Sequence, residues 1–410
     1  MPNFSIPLSG LSADSTALNT IGNNLSNLNT TAFKGQTTEF ENLFYQQFGS
    51  NGAGDAIQVG VGTKVQATTT NFSQGSINPT GVTSNLALTG GGYFITNVNG
   101  VNQLTRAGNF QLDSVGNLIS AEGANVMGYG ATNGIANVTG PLVPLSLPVG
   151  ATEAAKATQN LGATVNLNAG ATAGTTYSTG VSIYDSLGQT HQATLTFTKS
   201  ATANQWTYAI TLPAGEATGT PVNNTGTLVF NSSGVLTSPA GNVAGIKFPT
   251  LADGAADLNV TFDLLNTAGT PVITQTIAAS QTNATLQDGF ASGVYTGFSA
   301  DSAGRLYATF SNGQTQVVGQ VAVGVVANDQ GLTLAGNNSY LATPGSGQIV
   351  AGTAGTGFRG SITDSALELS NVDISTEFAN LIVAQRSFEA NAKTVTTFDT
   401  VSQDTIAMIR

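Results

Sequence analysis

The chain has 410 residues, of which 50 are Gly, none is Cys, one is His and only 8% are charged, against roughly 25% charge in an ordinary soluble domain. Its net charge of −11 has the wrong sign for a phosphate-binding surface, so no nucleic-acid partner is expected. Without cysteine there is no disulfide framework, cysteine zinc site or thiol nucleophile, and a lone histidine supplies no multi-histidine metal site.

Met1 to Gly10 carry no basic run, apolar run or small-residue cleavage site, so no cleaved secretory signal is expected. The first regular element follows at once. Phe4, Leu11, Leu18 and Leu25 recur every seven residues, with Ile21 and Leu28 on neighbouring positions, a short heptad seam that predicts a helix over about residues 8–28. Pro7 limits how early it begins, Ser9 or Ser12 is the expected cap, and the run Asn23, Asn24, Asn27 and Asn29 disfavours helix before Thr30 and Thr31 end it.

Residues 35–365 read as short β segments broken by Gly, Asn, Asp and Pro. Expected strands are Leu86–Leu88, Gly92–Thr96, Asn109–Leu112, His191–Thr198, Trp206–Thr211, Thr227–Phe230, Leu258–Leu264 and Gly319–Val326. Reversals are expected at Asn99-Gly100, Gly116-Asn117, Ser233-Gly234 and Asn312-Gly313. A proline-rich stretch at Pro141 to Val149 and a Ser/Thr/Asn/Gln stretch from Ala278 to Asp288 look like the hinges of an inserted domain. The longest apolar stretch, Val317 to Ala327, is broken by Gly319, Gln320 and Gly324, far short of the roughly 20 residues of a membrane helix, so no membrane insertion is expected.

From Leu367 to Arg410 there is neither Pro nor Gly. Ile374, Phe378, Leu381, Ile382, Phe388, Val395, Phe398, Val401 and Ile409 keep helical spacing, opposite Glu377, Arg386, Glu389, Lys393 and Asp404. One helix over about 373–408 is predicted, on the order of 50 Å long. The fold class is therefore mainly β with helical termini. The expected nesting is terminal helices pairing as a coiled coil (1–29 and 366–410), a linking region (30–80), an inner β domain (81–146 and 285–365) and an outer β insert (147–284).

Small motifs carry little chemistry. Gly60-Val61-Gly62 and Gly345-Ser346-Gly347 lack the pattern of a phosphate loop, and Gly90-Gly91-Gly92 before Tyr93 reads as a strand entry. Asp185, Gly188 and His191 suggest a catalytic or metal cluster, yet Asp-Ser-Leu-Gly is ordinary turn chemistry. Asp253, Asp257 and Asp263 lack the spacing of a calcium loop. Trp206 and Tyr208 alternate around Thr207 and so share one sheet face. No catalytic, cofactor-binding or metal-binding residue is assigned, and no cofactor is expected. A glycan-binding or hydrolysing β protein, with paired carboxylates in a cleft, explains neither helical end. The uncharged surface instead favours self-association.

Five segments resemble a known family. SGLSADSTALNT at 9–20 with IGNNLSNLNTTAFK at 21–34 is similar to the N-terminal signature of the flagellar axial proteins, the rod, hook and hook-associated family. SNVDISTEFANLIVAQRSFEANAKTVTTFD at 370–399 resembles the C-terminal signature, TRAGNFQLDSVGNL at 105–118 a segment shared by rod and hook members, and VSIYDSLGQTH at 181–191 a motif of the hook members' outer domain. The large insert suits the hook branch better than the distal rod, the alternative.

The resemblance implies a structural polymer, not an enzyme: a curved hollow tube, exported without a cleaved signal, that works as a universal joint passing motor torque from rod to filament. Its implied partners are further copies of itself, the distal rod protein, the hook–filament junction protein, the hook cap and the flagellar type III export apparatus, and its implied location is the extracellular hook. Polymer contacts are expected on the helical stripes, at Leu11, Leu18, Ile21, Leu25 and Leu28 and at Phe378, Leu381, Ile382, Phe388, Val395, Phe398 and Val401.

Overall fold

The computed structural model describes residues 4–50 and 56–408. The chain is mostly strand, with one long helix near each end, α1 (Ser5–Ser26) and α2 (Ile374–Met408). Ile409, placed on the C-terminal stripe by its spacing, lies outside the described residues.

Helix α1 begins before Pro7 rather than after it. A proline in the first turn removes an N–H that has no intrahelical partner there anyway, and Pro7 is buried. Neither serine caps the helix: the N-cap is Phe4, with no side-chain hydrogen bond. Ser9 Oγ instead donates to Ile6 O at 2.7 Å and accepts from Thr63 N at 3.1 Å, while Ser12 is an exposed helix residue. Helix α2 starts on a true cap, since Asp373 Oδ1 accepts the Thr376 N–H at 2.7 Å.

Two compact units make up the chain. The first comprises Met1–Val149, Phe298–Ala308 and Gln316–Arg410. Its main antiparallel sheet runs in the order Thr315–Val325, Asn125–Thr132, Tyr93–Val98, Val101–Thr105, Ser339–Leu341, Thr333–Gly336. Tyr93, Ile95, Leu104, Met127, Tyr129, Ala322 and Tyr340 fill its core. The hairpin at Asn99-Gly100 has both residues at positive φ, 50° and 86°, as a tight reversal between twisted strands requires. Short ladders join the two halves of the unit: Leu86–Thr89 pairs with Ser361–Asp364, and Ile77–Pro79 pairs with Ala366–Glu368.

The second unit comprises Gly150–Gly297 with Thr309–Thr315. It holds two five-stranded sheets. One contains Val243–Phe248, Leu258–Asp263, Asn160–Asn168, Ile273–Thr276 and Gln281–Gln287; the other runs Thr176–Tyr184, Thr190–Lys199, Gln205–Thr211, Thr225–Phe230, Leu236–Ser238. Alternation decides which side chains face in. In Thr190–Lys199 every second residue from His191 is buried, the period-two pattern of a strand with one covered face. Trp206 and Tyr208 share the inward face of their strand, where Trp206 Nε1 donates to Gln275 Oε1 at 2.9 Å and Tyr208 packs on Phe262 with ring centroids 5.3 Å apart. The stretch 278–288 is not a simple hinge. Its residues 281–287 form an almost wholly exposed strand paired antiparallel with Asn160–Asn168, so polar composition there marks a solvated sheet edge.

Phe262→Ala should empty a fully buried ring site and destabilise this unit by about 3–5 kcal/mol. Trp206 is the only tryptophan and lies in the same core, so its fluorescence in a urea titration should show the earlier midpoint.

Candidate assembly surface on the paired terminal helices

Helices α1 and α2 pack together, but not on the leucine seam. The buried residues of α1 are Pro7, Gly10, Ala13, Ala17, Thr20, Ile21 and Asn24, spaced by threes and fours along one face. Small side chains permit close approach: a Cβ on Gly10 would lie 2.6 Å from Asn391 Nδ2. Asn391 also donates to Asp14 Oδ2 at 2.8 Å, and Phe4 meets Phe398 edge to face at 5.9 Å. Of the expected N-terminal stripe, Ile21 is buried, whereas Leu11, Leu18, Leu25 and Leu28 are half-buried beside the small-residue face.

The C-terminal stripe is more open still. Among the described residues Ala384 is the one buried residue of α2. Leu381, Val395 and Phe398 are half-buried, while Phe378, Ile382 and Val401 keep 50%, 54% and 46% of their surface in solvent. Phe388 is also exposed, as are Val383, Ile406 and Met408, which the stripe did not include. A groove of about 270 Å³ runs between α1, α2 and strand Gln36–Asn42, lined in part by Ala17, Ile21, Phe40 and Val383.

The roots of the helices are fixed by polar groups. Asn24, almost wholly buried, donates to Gln36 O at 2.8 Å and to Glu377 Oε1 at 3.2 Å, and accepts from Gln36 N at 2.9 Å. Burial pushes the Glu377 carboxyl above its usual pKa, with Asn24 opposing the shift. Asn371, just before α2, accepts from Gly35 N and donates to Asn71 O, both at 2.8 Å.

Beneath them lies an ion cluster. Glu368, with no exposed surface, faces Lys34 Nζ at 2.5 Å through one oxygen and Arg106 Nη1 at 3.3 Å through the other. Its Oε1 also accepts from Gly75 N at 2.9 Å. Lys34 Nζ donates further to Ser73 O at 2.7 Å, and Arg106 to Leu88 O and Gly90 O, with Arg106 also over the Tyr93 ring. Burial lowers the Lys34 pKa even though Glu368 raises it. Lys34, Arg106 and Glu368 were not singled out from sequence; their only early signal is that Lys34 and Arg106 fall inside the resembling segments.

Of the remaining sequence candidates, Asp257 pairs with Lys247 Nζ at 2.7 Å and Asp263 accepts from Asn242 Nδ2 at 2.7 Å. Asp253 instead approaches His191 and Asp185, far from both in sequence. Burial opposes charge on the His191 ring, but hydrogen bonds with Glu216 and Asp185 outweigh it and raise the pKa. No helix among the described residues is long and apolar enough to cross a membrane.

Comparison with known proteins gives this arrangement its context. The family model described as "Flagella basal body rod protein" matches residues 6–34, "Flagellar basal body rod FlgEFG protein C-terminal" matches 363–408, and "Flagellar basal body protein FlaE D2 domain" matches 154–290. The class is thus a flagellar axial protein, structural rather than enzymatic. The chain is 33% identical to flagellar hook protein FlgE of Salmonella typhimurium, over 97% of this chain and 98% of that one. It is 30% identical to its counterpart in Treponema pallidum over 98% of both, and 36% identical to that of Rhizobium meliloti over 94% of this chain and 93% of that. The crystal structure of Helicobacter pylori flagellar hook protein FlgE2 shares the fold, with a TM-score of 0.51 and 17% identity over 71% of this chain and all of that one. The chain belongs to the flagellar hook protein family and is a structural subunit of the bacterial flagellar hook. Membership implies self-association and attachment to the flagellar basal body.

Replacing Lys34 by Met should strand part of the Glu368 charge in the interior, at a cost of about 3–5 kcal/mol. Combining Lys34→Met with Glu368→Gln should recover part of that loss, because the two groups act as one. Thermal unfolding of the single and double variants measures both.

Proposed function

We propose that the exposed apolar faces of α1 and α2 are where copies of this chain join end on end and side by side, building the curved hollow tube of the hook. One observation carries this reading: a helix of 35 residues buries only Ala384 within its own chain while holding Phe378, Ile382, Val383, Ile406 and Met408 in water. Covering such side chains contributes roughly 1.5–3 kcal/mol each, and helices gain most of their stability from packing. Assembly is therefore what stabilises the helical ends. The polymer contacts are Leu11, Leu18 and Leu25 on the flank of α1, Leu28 just past its end, and Phe378, Leu381, Ile382, Phe388, Val395 and Val401 on α2, with Ile21 and Phe398 supporting them from within the pair.

On this reading the tube transmits torque from the rod to the filament. The distal rod protein sits at one end, the hook cap during growth and the hook–filament junction protein afterwards at the other, and the subunit reaches the growing tip through the flagellar type III apparatus without a cleaved signal. The functional division of the chain is terminal helices (1–29 and 366–410), linking region (30–80), one β domain (81–146 and 285–365) and a β insert (147–284).

Phe378→Asp and Ile382→Asp place charge on surface that is already exposed, so both variants should fold. Concentrated with sulfate, which strengthens apolar burial, the unmodified protein should form curved tubes in negative-stain electron microscopy, and either variant should form few or none. Tubes of normal length and number from both variants would remove this face from the interface.

A further inference from the structure

The only histidine of the chain belongs to the unit built on residues 150–297. His191 Nδ1 is 2.8 Å from Glu216 Oε2, while Nε2 is 3.2 Å from Asp185 Oδ2 and 3.7 Å from Asp253 Oδ2. The two aspartates are prepared alike. Asp185 Oδ1 accepts the N–H groups of Leu187 and Gln189, both at 2.9 Å, and Asp253 Oδ1 accepts that of Ala255 at 3.0 Å. Each thereby turns its Oδ2 toward Nε2. Asp185 is fully buried, yet that oxygen faces the ring and a second carboxylate, with no backbone N–H on it. Among the described residues no lysine or arginine forms an ion pair with Asp185, Glu216 or Asp253. Three carboxylates around one imidazole leave negative charge in excess even when the ring is protonated.

We propose that Asp185, His191 and Asp253 form a site for a divalent transition-metal ion, with zinc the ion of best fit. Metal–ligand bonds of about 2.0–2.2 Å in a tetrahedron place ligand atoms roughly 3.3 Å apart, and the separations here are 3.2 and 3.7 Å, with all three ligand atoms inside 4.8 Å of one another. Glu216 accepts from Nδ1 and so aims Nε2 at the centre, the usual relay from carboxylate through histidine to metal. The nitrogen ligand selects against calcium and magnesium, which take oxygen. Asp253 is partly exposed, leaving an entry path and a coordination position for water. The bound ion ties strand Thr190–Lys199 to the 185–189 turn and to the loop carrying Asp253, and it stabilises the folded unit by mass action.

The test is calorimetric titration of the full-length, chelator-stripped monomer with zinc chloride, with unfolding followed through Trp206. A single zinc per chain, a later Trp206 transition and a shift of the Nε2 nitrogen resonance of His191 are expected. Asp253→Asn, in a solvent-facing loop, should weaken zinc about tenfold or more, and Glu216→Gln by about 10–100-fold. The proposal is overturned by dissociation constants above about 100 μM, by affinity unchanged in both Asp253→Asn and His191→Gln, or by calcium binding as tightly as zinc. None of these readouts depends on tube formation, so this site stands or falls apart from the assembly reading.

Discussion

A carboxylate with no access to water needs charge and hydrogen bonds around it, and the hook subunit meets that need at Glu368 with groups drawn from three other parts of the chain. Lys34 follows the first helix, Gly75 lies just before strand Ile77–Pro79, Arg106 follows strand Val101–Thr105 of the main sheet, and Glu368 itself closes the last strand before α2. Removing water from such ions is costly unless every lone pair is met. Here the cost is offset only when the segment after α1 and the strand before α2 come together beside Arg106. The cluster therefore acts as a check on register: Ala366–Glu368 cannot slide along Ile77–Pro79 without carrying Glu368 away from Lys34 and Arg106.

From that anchor the two helices run together, and α1 is braced further by the Thr38–Thr20 and Thr63–Ser9 hydrogen bonds. Asn24 and Asn371 continue the polar bracing for about one turn on either side. Beyond it the contact includes Gly10 against Asn391, the hydrogen bond from Asn391 to Asp14 and Phe4 on Phe398, with Ala13 and Ala17 buried along the same face of α1. Glycine and alanine allow the backbones to come close but bury little apolar area. Phe378, Ile382, Val383, Val401, Ile406 and Met408 of α2 face outward instead. A rigid polar base combined with an uncovered apolar rod suits a subunit whose helices take their final environment from neighbouring copies.

Much of this architecture was readable in advance, for physical reasons that also mark where reading stops. Period-two alternation in His191–Thr198 and Trp206–Thr211 reports a half-covered sheet directly, and the helical spacing of 374–408 is unbroken by Gly or Pro. The leucine repeat of α1 locates the helix but not the face that meets α2, because hydropathy weights large side chains, whereas close helix contact selects the small residues between them. Asn24 was counted only as a poor helix former; its partner Glu377 is 353 residues away, a distance no local pattern spans. Strand Gln281–Gln287 was missed because an edge exposed on both faces shows no alternation at all. The Asp253–His191 approach escaped notice for the same reason as Asn24, since only the folded sheet brings a distant loop to the 185–191 turn.

The low charge that seemed odd in composition acquires a mechanical sense once these parts are combined. A tube that bends while it turns must let its subunits shorten and lengthen their spacing on each rotation, so some contacts must exchange at little net free-energy cost. Threonine, asparagine, glutamine and intervening water make such contacts; paired ions or dry apolar patches would hold one spacing. The ion cluster at Glu368 is buried within a single subunit, where nothing is required to slide. Helix α2 carries a run of uncovered apolar side chains from Phe378 to Met408, and on the proposed assembly these are the contacts that hold one spacing. On the proposed assembly, sliding contacts and fixed contacts therefore draw on different residue types, divided by what each kind of contact costs to break.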